Sequence, residues 1–185
     1  MYVTDDMIAE MAVRYGTPAL KKYSFDVDEK EVNRIGSSQK HGRNHDATLY
    51  VQKDDKIVVI AKHFYPPTLY RAPSGGLDPG ESFHDGINRE MREEIGCEIE
   101  LDRFLLQTAV TFSYGDEEIF WRSFVFLAHY VRGDFQFTDK REIREVRLVD
   151  WEQFDDYGRI MRQSDVGGFH YRAALHEKVV SLVRE

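Results

Sequence analysis

The amino-acid sequence predicts an α/β domain in which a mixed β-sheet is packed between helices. At 185 residues the chain has the length of about one domain, and its composition, 42% hydrophobic and 31% charged, is that of a globular protein. Strand-like runs of β-branched residues lie on both sides of one strong helix pattern, and two more helix patterns close the chain. This order indicates a sheet with helices on its faces.

The first 43 residues are predicted to form an N-terminal helix and a connecting segment. Apolar side chains recur at helical spacing over residues 5–15, with Thr4 in the position of an N-cap and Gly16 in that of a stop. Residues 24–43 are polar and charged with few large apolar side chains, so we expect a lead-in segment or a dimerisation arm. The main domain is predicted over residues 44–185.

Residues 47–51 and 56–62 are predicted to form a β-hairpin, because both runs are β-branched and a Lys-Asp-Asp turn sequence separates them. A loop follows over residues 73–80, where eight positions hold three glycines and two prolines. The clearest helix lies at residues 82–95. An apolar side chain recurs there at every fourth position, and Gly96 stands where the helix is expected to stop.

The second half of the chain is predicted to hold three strands and two helices. The strands run over residues 101–114, 118–131 and 146–151, and a turn at Gly115-Asp116 joins the first two. The helices run over residues 151–163 and 169–184.

The charge and the apolar pattern exclude several classes of partner. With 25 Lys and Arg against 33 Asp and Glu, the formal charge is −8 and no basic stripe is present, so we expect no nucleic-acid partner. The longest apolar runs are five residues, against about 20 needed to span a bilayer, so we expect no membrane partner. Cys97 is the only cysteine, and the acidic start of the chain is unlike a secretory signal. We therefore expect a cytoplasmic protein.

Three glutamates on the predicted helix carry the clearest chemistry. Glu90, Glu93 and Glu94 are at positions i, i+3 and i+4, so their carboxylates share one face. Like charges at this spacing repel, and the helix dipole disfavours negative charge near the C-terminus. A hard divalent cation such as Mg²⁺ would resolve this conflict, and a solvated acidic surface is the alternative. Arg89 lies four residues before Glu93 and can orient its carboxylate.

The glycine-rich loop before the helix favours the cation site. Gly75, Gly76 and Gly80 allow the backbone to approach a metal or a phosphate closely, and a carbonyl there can be a further ligand. Glu81 follows at the start of the helix, where a carboxylate can cap free amides and brace the loop.

The residues from Gly75 to Cys97 resemble the signature of the Nudix hydrolase family. That signature is G-x5-E-x7-R-E-U-x-E-E-x-G-U, in which U is a bulky aliphatic residue, and every polar and glycine position is filled. Cys97 departs from it in the last aliphatic position, where the side chain faces the core in the family. The resemblance implies a Nudix-type α/β/α sandwich with a mixed β-sheet.

The resemblance also implies a reaction: hydrolysis of a diphosphate bond in a nucleoside diphosphate linked to another group, assisted by Mg²⁺ or Mn²⁺. By analogy with the family, Glu90 and Glu94 are the main metal ligands, Glu93 is a third or water-mediated ligand, and the backbone carbonyl of Gly75 or Gly76 is another. Arg89 and Glu81 would support them. A diphosphate is anionic, so an acidic site binds it through bridging cations.

The general base has two candidates outside the helix, since Nudix enzymes take it from the motif helix or from a later loop. The charged segment 139–145 precedes the strand predicted at 146–151. Glu142 is the first candidate in that segment and Glu145 the second. A solvated, charged turn is the alternative interpretation.

Three side chains are candidates for substrate binding. Arg71 and Lys62 can meet phosphates from neighbouring strands, and Tyr114 lies where dinucleoside polyphosphate hydrolases of the family carry a tyrosine. Each also has an ordinary interpretation, as a strand-face charge or as hairpin packing. A small-molecule nucleotide is the expected partner, and nucleotide sugars such as ADP-ribose and dinucleoside polyphosphates lead as substrates.

A second function stays open, that of a Nudix domain without turnover that binds a nucleotide as a regulatory sensor. Such domains usually lose the carboxylates of the signature, whereas Glu90, Glu93 and Glu94 are all present. Because members of the family often dimerise, a homodimer is an expected assembly by analogy.

Overall fold

The computed structural model of the chain describes residues 2–39 and 42–184. Within these residues it has five helices and seven strands, and the strands form one mixed sheet. In chain order the elements are α1 Asp5–Tyr15, β1 Ala19–Asp26, α2 Glu29–Ser38, β2 His45–Lys53, β3 Lys56–Lys62, β4 Ser74–Gly75, α3 Phe83–Ile95, β5 Cys97–Tyr114, β6 Glu117–Gly133, β7 Ile143–Val149, α4 Trp151–Arg162 and α5 Gly167–Arg184.

The strand order of the sheet brings distant parts of the chain to one end. The order is β1-β5-β6-β2-β3-β7, and β4 pairs with β2 outside this path. β1 is parallel to β5 and β2 is parallel to β6, whereas the other neighbouring pairs are antiparallel. His45 at the start of β2 pairs with Arg122 of β6, and Lys62 at the end of β3 pairs with Ile143 of β7. These four positions therefore share one end of the sheet.

Both faces of the sheet are buried under helices, which explains the continuous apolar run of β3. Along that strand Ile57, Val59 and Ala61 pack into the core beneath α2, α4 and α5, whereas Val58 and Ile60 pack into the core beneath α1 and α3. Helices therefore cover both faces, and the predicted α/β/α sandwich with a mixed sheet is confirmed.

The helices predicted at residues 5–15 and 82–95 are present with their expected ends. The hydroxyl of Thr4 accepts a hydrogen bond from the amide of Met7 at 3.2 Å, as an N-cap does. α3 ends at Gly96, whose φ of +68° is the left-handed conformation that glycine adopts without strain. No helix within the described ranges is long and apolar enough to span a membrane.

The structure corrects the connecting segment predicted at residues 24–43. β1 extends to Asp26, and α2 begins at Glu29 behind a capping box in which Asp28 and Glu31 accept hydrogen bonds from each other's amides. β1 joins the sheet by parallel pairing with the distant β5, so its own sequence does not mark it. α2 is mostly polar, but its capping box is a local signal that was overlooked. Lys40 and His41 of this segment lie outside the described residues. The domain division after residue 43 stays a prediction.

The structure also corrects the start of the last strand. β7 begins at Ile143, not at residue 146, because antiparallel pairing with β3 continues to Lys62. Glu145, predicted in a charged loop, is therefore a strand residue.

Candidate active site

A cleft of about 400 Å³ opens at the end of the sheet where β2 begins and β3 ends. Glu90, Glu93 and Glu94 all line it. A second cleft, also of about 400 Å³, lies between α1, α3 and β5, but none of these three carboxylates lines it. The chemistry therefore favours the first cleft, which we call the carboxylate cleft.

α3 presents its three carboxylates at different depths in the carboxylate cleft. Glu94 is buried, 16% of the Glu90 side chain is exposed, and 46% of the Glu93 side chain is exposed. The amide of Ser74 donates a hydrogen bond to Glu94 Oε2 at 2.9 Å. A Cβ atom on Gly75 would overlap the carboxylate of Glu90, so only glycine leaves room for this close approach.

Arg89 links the loop and the carboxylates through one guanidinium group. Its Nε and Nη2 donate to the two carboxylate oxygens of Glu81 at 2.8 and 2.9 Å, and Nη2 also donates to the carbonyl of Gly76 at 3.0 Å. Its Nη1 donates to Glu90 at 3.0 Å and to Glu93 at 3.4 Å. This is the placement that a supporting role for Arg89 and Glu81 requires.

Burial disfavours the ionised form of the two least exposed carboxylates of α3. Burial, and after it the charge of Glu94, raises the pKa of Glu90 to about 7, although Arg89 opposes this. Burial also raises the pKa of Glu94, against the charges of Lys62 and Arg71. A divalent cation would favour the ionised form of both groups, and carboxylate and carbonyl oxygens are the ligands that Mg²⁺ and Mn²⁺ prefer. The donor set therefore fits the predicted metal.

Cations of the protein hold these carboxylates in the structure. Arg89 pairs with Glu90 and Glu93, and Lys62 Nζ lies 3.6 Å from Glu94 Oε1. Within residues 2–39 and 42–184, no three His, Cys, Asp or Glu side chains converge in the geometry of metal ligands. A divalent ion would compete with Arg89 and Lys62 for the same oxygens.

The two candidate bases lie in different environments. Glu142 lines the carboxylate cleft with 61% of its side chain exposed, and its Oε2 accepts a hydrogen bond from Lys62 Nζ at 2.6 Å. Glu145 accepts a hydrogen bond from the hydroxyl of Tyr70 at 2.6 Å and does not line the cleft. The geometry therefore favours Glu142.

The structure brings Arg71 to the carboxylate cleft but not Tyr114. Arg71 is buried, and its Nε donates to the hydroxyl of Tyr65 at 2.6 Å, while its Nη1 donates to the carbonyl of Ala72 at 2.7 Å and to the hydroxyl of Ser74 at 2.8 Å. Tyr114 ends β5 at the β5–β6 turn, is 41% exposed and does not line the cleft.

The sequence analysis missed a buried ion pair that lines the carboxylate cleft. Asp46 Oδ2 accepts a hydrogen bond from Arg172 Nη2 at 2.7 Å, and Asp46 Oδ1 accepts from the indole of Trp121 at 3.2 Å and from the hydroxyl of Ser123. Burial alone would raise the pKa of Asp46, but Arg172 and these hydrogen bonds hold it below its usual value. A carboxylate inside an apolar strand was the available signal for Asp46, whereas Arg172 lies far along the chain in α5.

His45, next to this pair, is kept neutral by burial. Its Nε2 accepts a hydrogen bond from the amide of Leu77 at 3.3 Å, so Nδ1 carries the proton. Nδ1 is buried without a hydrogen-bond partner in the part of the chain that the structure describes. Burial lowers the pKa of His45 to about 4.

The N-terminal segment also reaches the carboxylate cleft. Ser38, the last residue of α2, and Arg43, two residues before β2, both line it. The sequence analysis assigned both to the connecting segment and gave neither a role.

Comparison with known sequences shows one family match and one curated relative. Residues 42–166 match the NUDIX domain family. Nudix hydrolase 2 of Arabidopsis thaliana is 26% identical over 129 residues, which cover 68% of this chain and 45% of that protein. The match thus spans less than half the length of the curated relative.

Solved structures show the same fold at low sequence identity. A UDP-X diphosphatase aligns over 97% of this chain and 78% of its own, with 17% identity and a TM-score of 0.54. A MutT NUDIX hydrolase from Burkholderia pseudomallei aligns over 74% of this chain and 97% of its own, with 20% identity and a TM-score of 0.51. An Ap4A hydrolase from C. elegans aligns over 77% of this chain and 98% of its own, with 16% identity and a TM-score of 0.50.

Proposed function

The chain belongs to the NUDIX domain family of hydrolases, and on this premise we propose that it cleaves, with a divalent metal, the diphosphate bond of a nucleoside diphosphate linked to another group. The observation that carries the proposal is the pair of buried carboxylates, Glu90 and Glu94, held against the Ser74-Gly75 segment in the carboxylate cleft. Such a concentration of negative charge binds an anionic diphosphate only together with cations.

Six residues of the Nudix signature have a part in this proposal. Glu90 and Glu94 are the main ligands of Mg²⁺ or Mn²⁺, Glu93 is a third or water-mediated ligand, and the carbonyl of Gly75 is another. When bound, the metal neutralises charge on the diphosphate and activates the attacking water. Arg89 and Glu81 hold the loop and the carboxylates in place, because one guanidinium bonds both.

Glu142 is the proposed general base. It lies at the rim of the carboxylate cleft, where water reaches it, and Lys62 fixes its carboxylate at 2.6 Å. A base within hydrogen-bond reach of the attacking water can accept its proton as the water attacks phosphorus. Lys62 also lies near Glu94, and with Arg71 it supplies positive charge for the phosphates.

Nucleotide sugars such as ADP-ribose and dinucleoside polyphosphates are the proposed substrates. The cleft of about 400 Å³ is within the range of small-molecule sites, roughly 300–1,000 Å³. Two solved structures of this fold are called UDP-X diphosphatase and Ap4A hydrolase, names that fall in these two classes. Tyr114 lies outside the cleft and takes no part in the proposal.

Three further points rest on the sequence analysis alone. They are a cytoplasmic location, a homodimeric assembly and the division of the chain after residue 43.

The experiment that tests the function is a substrate panel with and without Mg²⁺. Phosphate release, coupled to a phosphatase, is measured for ADP-ribose, other nucleotide sugars, diadenosine polyphosphates and nucleoside triphosphates. We expect turnover of one of the first three classes that stops with chelator and returns with Mg²⁺. Turnover that persists with chelator would contradict the metal assignment.

A matched pair of variants separates an enzyme from a nucleotide sensor. Glu94→Gln should lower turnover at least about 100-fold, since loss of even an outer-shell group at a metal site costs roughly 10–100-fold. Glu152→Gln, on the exposed first turn of α4, makes the same chemical change outside the cleft and should leave turnover intact. Folded wild type that binds ADP-ribose but hydrolyses nothing in the panel would support the sensor.

A further inference from the structure

The cations that line the carboxylate cleft differ in the groups with which they pair. Lys62 pairs with Glu142 and Glu94, and Arg172 pairs with Asp46. Arg71 is buried and bonded to neutral oxygens.

Arg43 differs from Lys62 and Arg172 because no described carboxylate pairs with it, and from Arg71 because it is not buried. It is partly exposed, and its Nε donates one hydrogen bond, to the carbonyl of Ser38 at 3.2 Å. No carboxylate within the described ranges forms an ion pair with it. Its Nη1 and Nη2 form no hydrogen bond with a described residue, and its side chain lines the cleft.

Arg43 packs against the loop that carries the metal site. A Cβ atom on Gly76 would overlap the guanidinium of Arg43, just as a Cβ on Gly75 would overlap the carboxylate of Glu90. Consecutive Cα atoms are only about 3.8 Å apart. Arg43 and the carboxylate of Glu90 thus contact neighbouring residues of one loop, and both line the same cleft.

The fold holds Arg43 in this position through α2. Ser38, whose carbonyl accepts the Nε–H, is the last residue of α2, where a helix presents free carbonyls that favour a cation. α2 is itself anchored to α5, because the carboxylate of Glu31 accepts hydrogen bonds from the amides of Gly167 at 3.1 Å and Gly168 at 2.8 Å. The guanidinium is therefore positioned before any substrate arrives.

We propose that Arg43 binds a phosphate of the substrate directly, through its two Nη groups, beside the carboxylates of α3. A guanidinium with two free nitrogens matches two phosphate oxygens in a bidentate hydrogen bond. The ligand class is a nucleoside diphosphate or its derivatives, and this inference rests on the proposed function for its substrate. Gly76 serves the same purpose, since its missing side chain leaves the space that the guanidinium occupies.

The test measures binding, so that it does not depend on turnover. Calorimetric titrations with ADP, inorganic pyrophosphate and adenosine, in MgCl₂, are made on wild type, Arg43→Ala, Arg43→Lys and Gly76→Ala. Arg103→Ala removes an exposed arginine of β5, and Gly36→Ala adds a methyl group within α2 where nothing lies within 4 Å. These two are the matched controls, and thermal unfolding verifies that each variant is folded.

We expect Arg43→Ala to weaken ADP and pyrophosphate binding by about 10–100-fold, the cost of a lost charge-assisted hydrogen bond. Arg43→Lys should recover only part of this loss, because an ammonium is not bidentate. Gly76→Ala should weaken both ligands by displacing the guanidinium. Adenosine, which has no phosphate, should bind every variant equally.

Three results would overturn the proposal. They are unchanged ADP affinity in folded Arg43→Ala, an equal loss of adenosine and ADP affinity, and no ADP binding by wild type. A parallel hydrolysis assay distinguishes failure of this proposal from failure of the proposed function. If Arg43-dependent ADP binding occurs without metal-dependent turnover, the proposed function fails and the role of Arg43 stands. If turnover occurs with unchanged ADP affinity in Arg43→Ala, the reverse holds.

Discussion

Replacing Asp46 by Asn should be strongly destabilising, because it leaves a buried arginine without its counter-charge. The amide is nearly isosteric, so Oδ1 can still accept from Trp121 and Ser123, but an NH₂ group then faces Arg172 Nη2 at 2.7 Å. The pair is well shielded, with 6% of the Asp46 side chain and 19% of the Arg172 side chain exposed.

The expected loss is about 3 kcal/mol of unfolding free energy. Breaking a buried ion pair costs roughly 3–5 kcal/mol, and the residual exposure of Arg172 favours the lower end. In a chain of this length that corresponds to a decrease in Tm of roughly 6–12 °C.

The assay is urea denaturation followed by tryptophan fluorescence, with Asp150→Asn as the matched control. Asp150 makes an exposed ion pair with Lys56 at 2.9 Å, and such pairs contribute about 0–1 kcal/mol. A loss below about 1 kcal/mol for Asp46→Asn, or an equal loss for both variants, would refute the reasoning. The double variant with Arg172→Gln should lose less than the sum of the two single losses.

The same ion pair predicts how the difference in unfolding free energy between wild type and Asp46→Asn depends on pH. The pKa of Asp46 is lowered in the folded state, so its contribution is present above the unfolded value of about 3.9 and is lost as pH falls through the lowered value. The difference in unfolding free energy should therefore be constant near neutral pH and decrease only in acid.

Three further perturbations test other parts of the structure. Glu31→Gln should weaken the contact between α2 and α5 by about 1–2 kcal/mol, because the amides of Gly167 and Gly168 lose their carboxylate acceptor. The loss is measured as faster hydrogen exchange at these two amides, and unchanged exchange would contradict the anchoring role of Glu31. Arg89→Lys should lower kcat at least about tenfold in a folded protein, because an ammonium cannot make the paired hydrogen bonds to Glu81 and also reach the other carboxylates. Undiminished turnover would contradict the supporting role of Arg89. His45 should make the protein less stable in acid, because its pKa is about 4 in the folded state and about 6.5 in the unfolded state. Up to about 3 kcal/mol of unfolding free energy is therefore lost as pH falls from 6.5 to 4. The same dependence of stability on pH in wild type and His45→Gln would refute this.

The half of the site that holds the three glutamates of α3 was predictable because it is local. Glu90, Glu93 and Glu94 follow from the 3.6-residue period of one helix, and Gly96 and Ser82 delimit that helix by local hydrogen bonds. The glycine loop is adjacent in sequence, so the approach of Gly75 to Glu90 needs only a short turn of the chain.

Asp46, Arg172 and Arg43 reach the site through long-range packing and were missed. Asp46 and Arg172 meet because α5 packs on the face of the sheet beside β2. No residue spacing in the sequence predicts that contact. Arg43 acquires its position from the end of α2, a helix that was predicted as part of a connecting segment. Tyr114 is the opposite case, since a position inferred from the family does not line the cleft in this fold.

The sequence by itself determined the sandwich, the helix that carries the carboxylates and the glycine loop against it, because periodicity, capping and turn chemistry act between neighbours in the chain. Only the tertiary structure added Arg43 and Arg172 to the cleft beside the predicted Lys62 and Arg71, since these cations come from separate parts of the chain that the fold brings to one end of the sheet. Burial, which raises the pKa of Glu90, is likewise a property of the packed molecule.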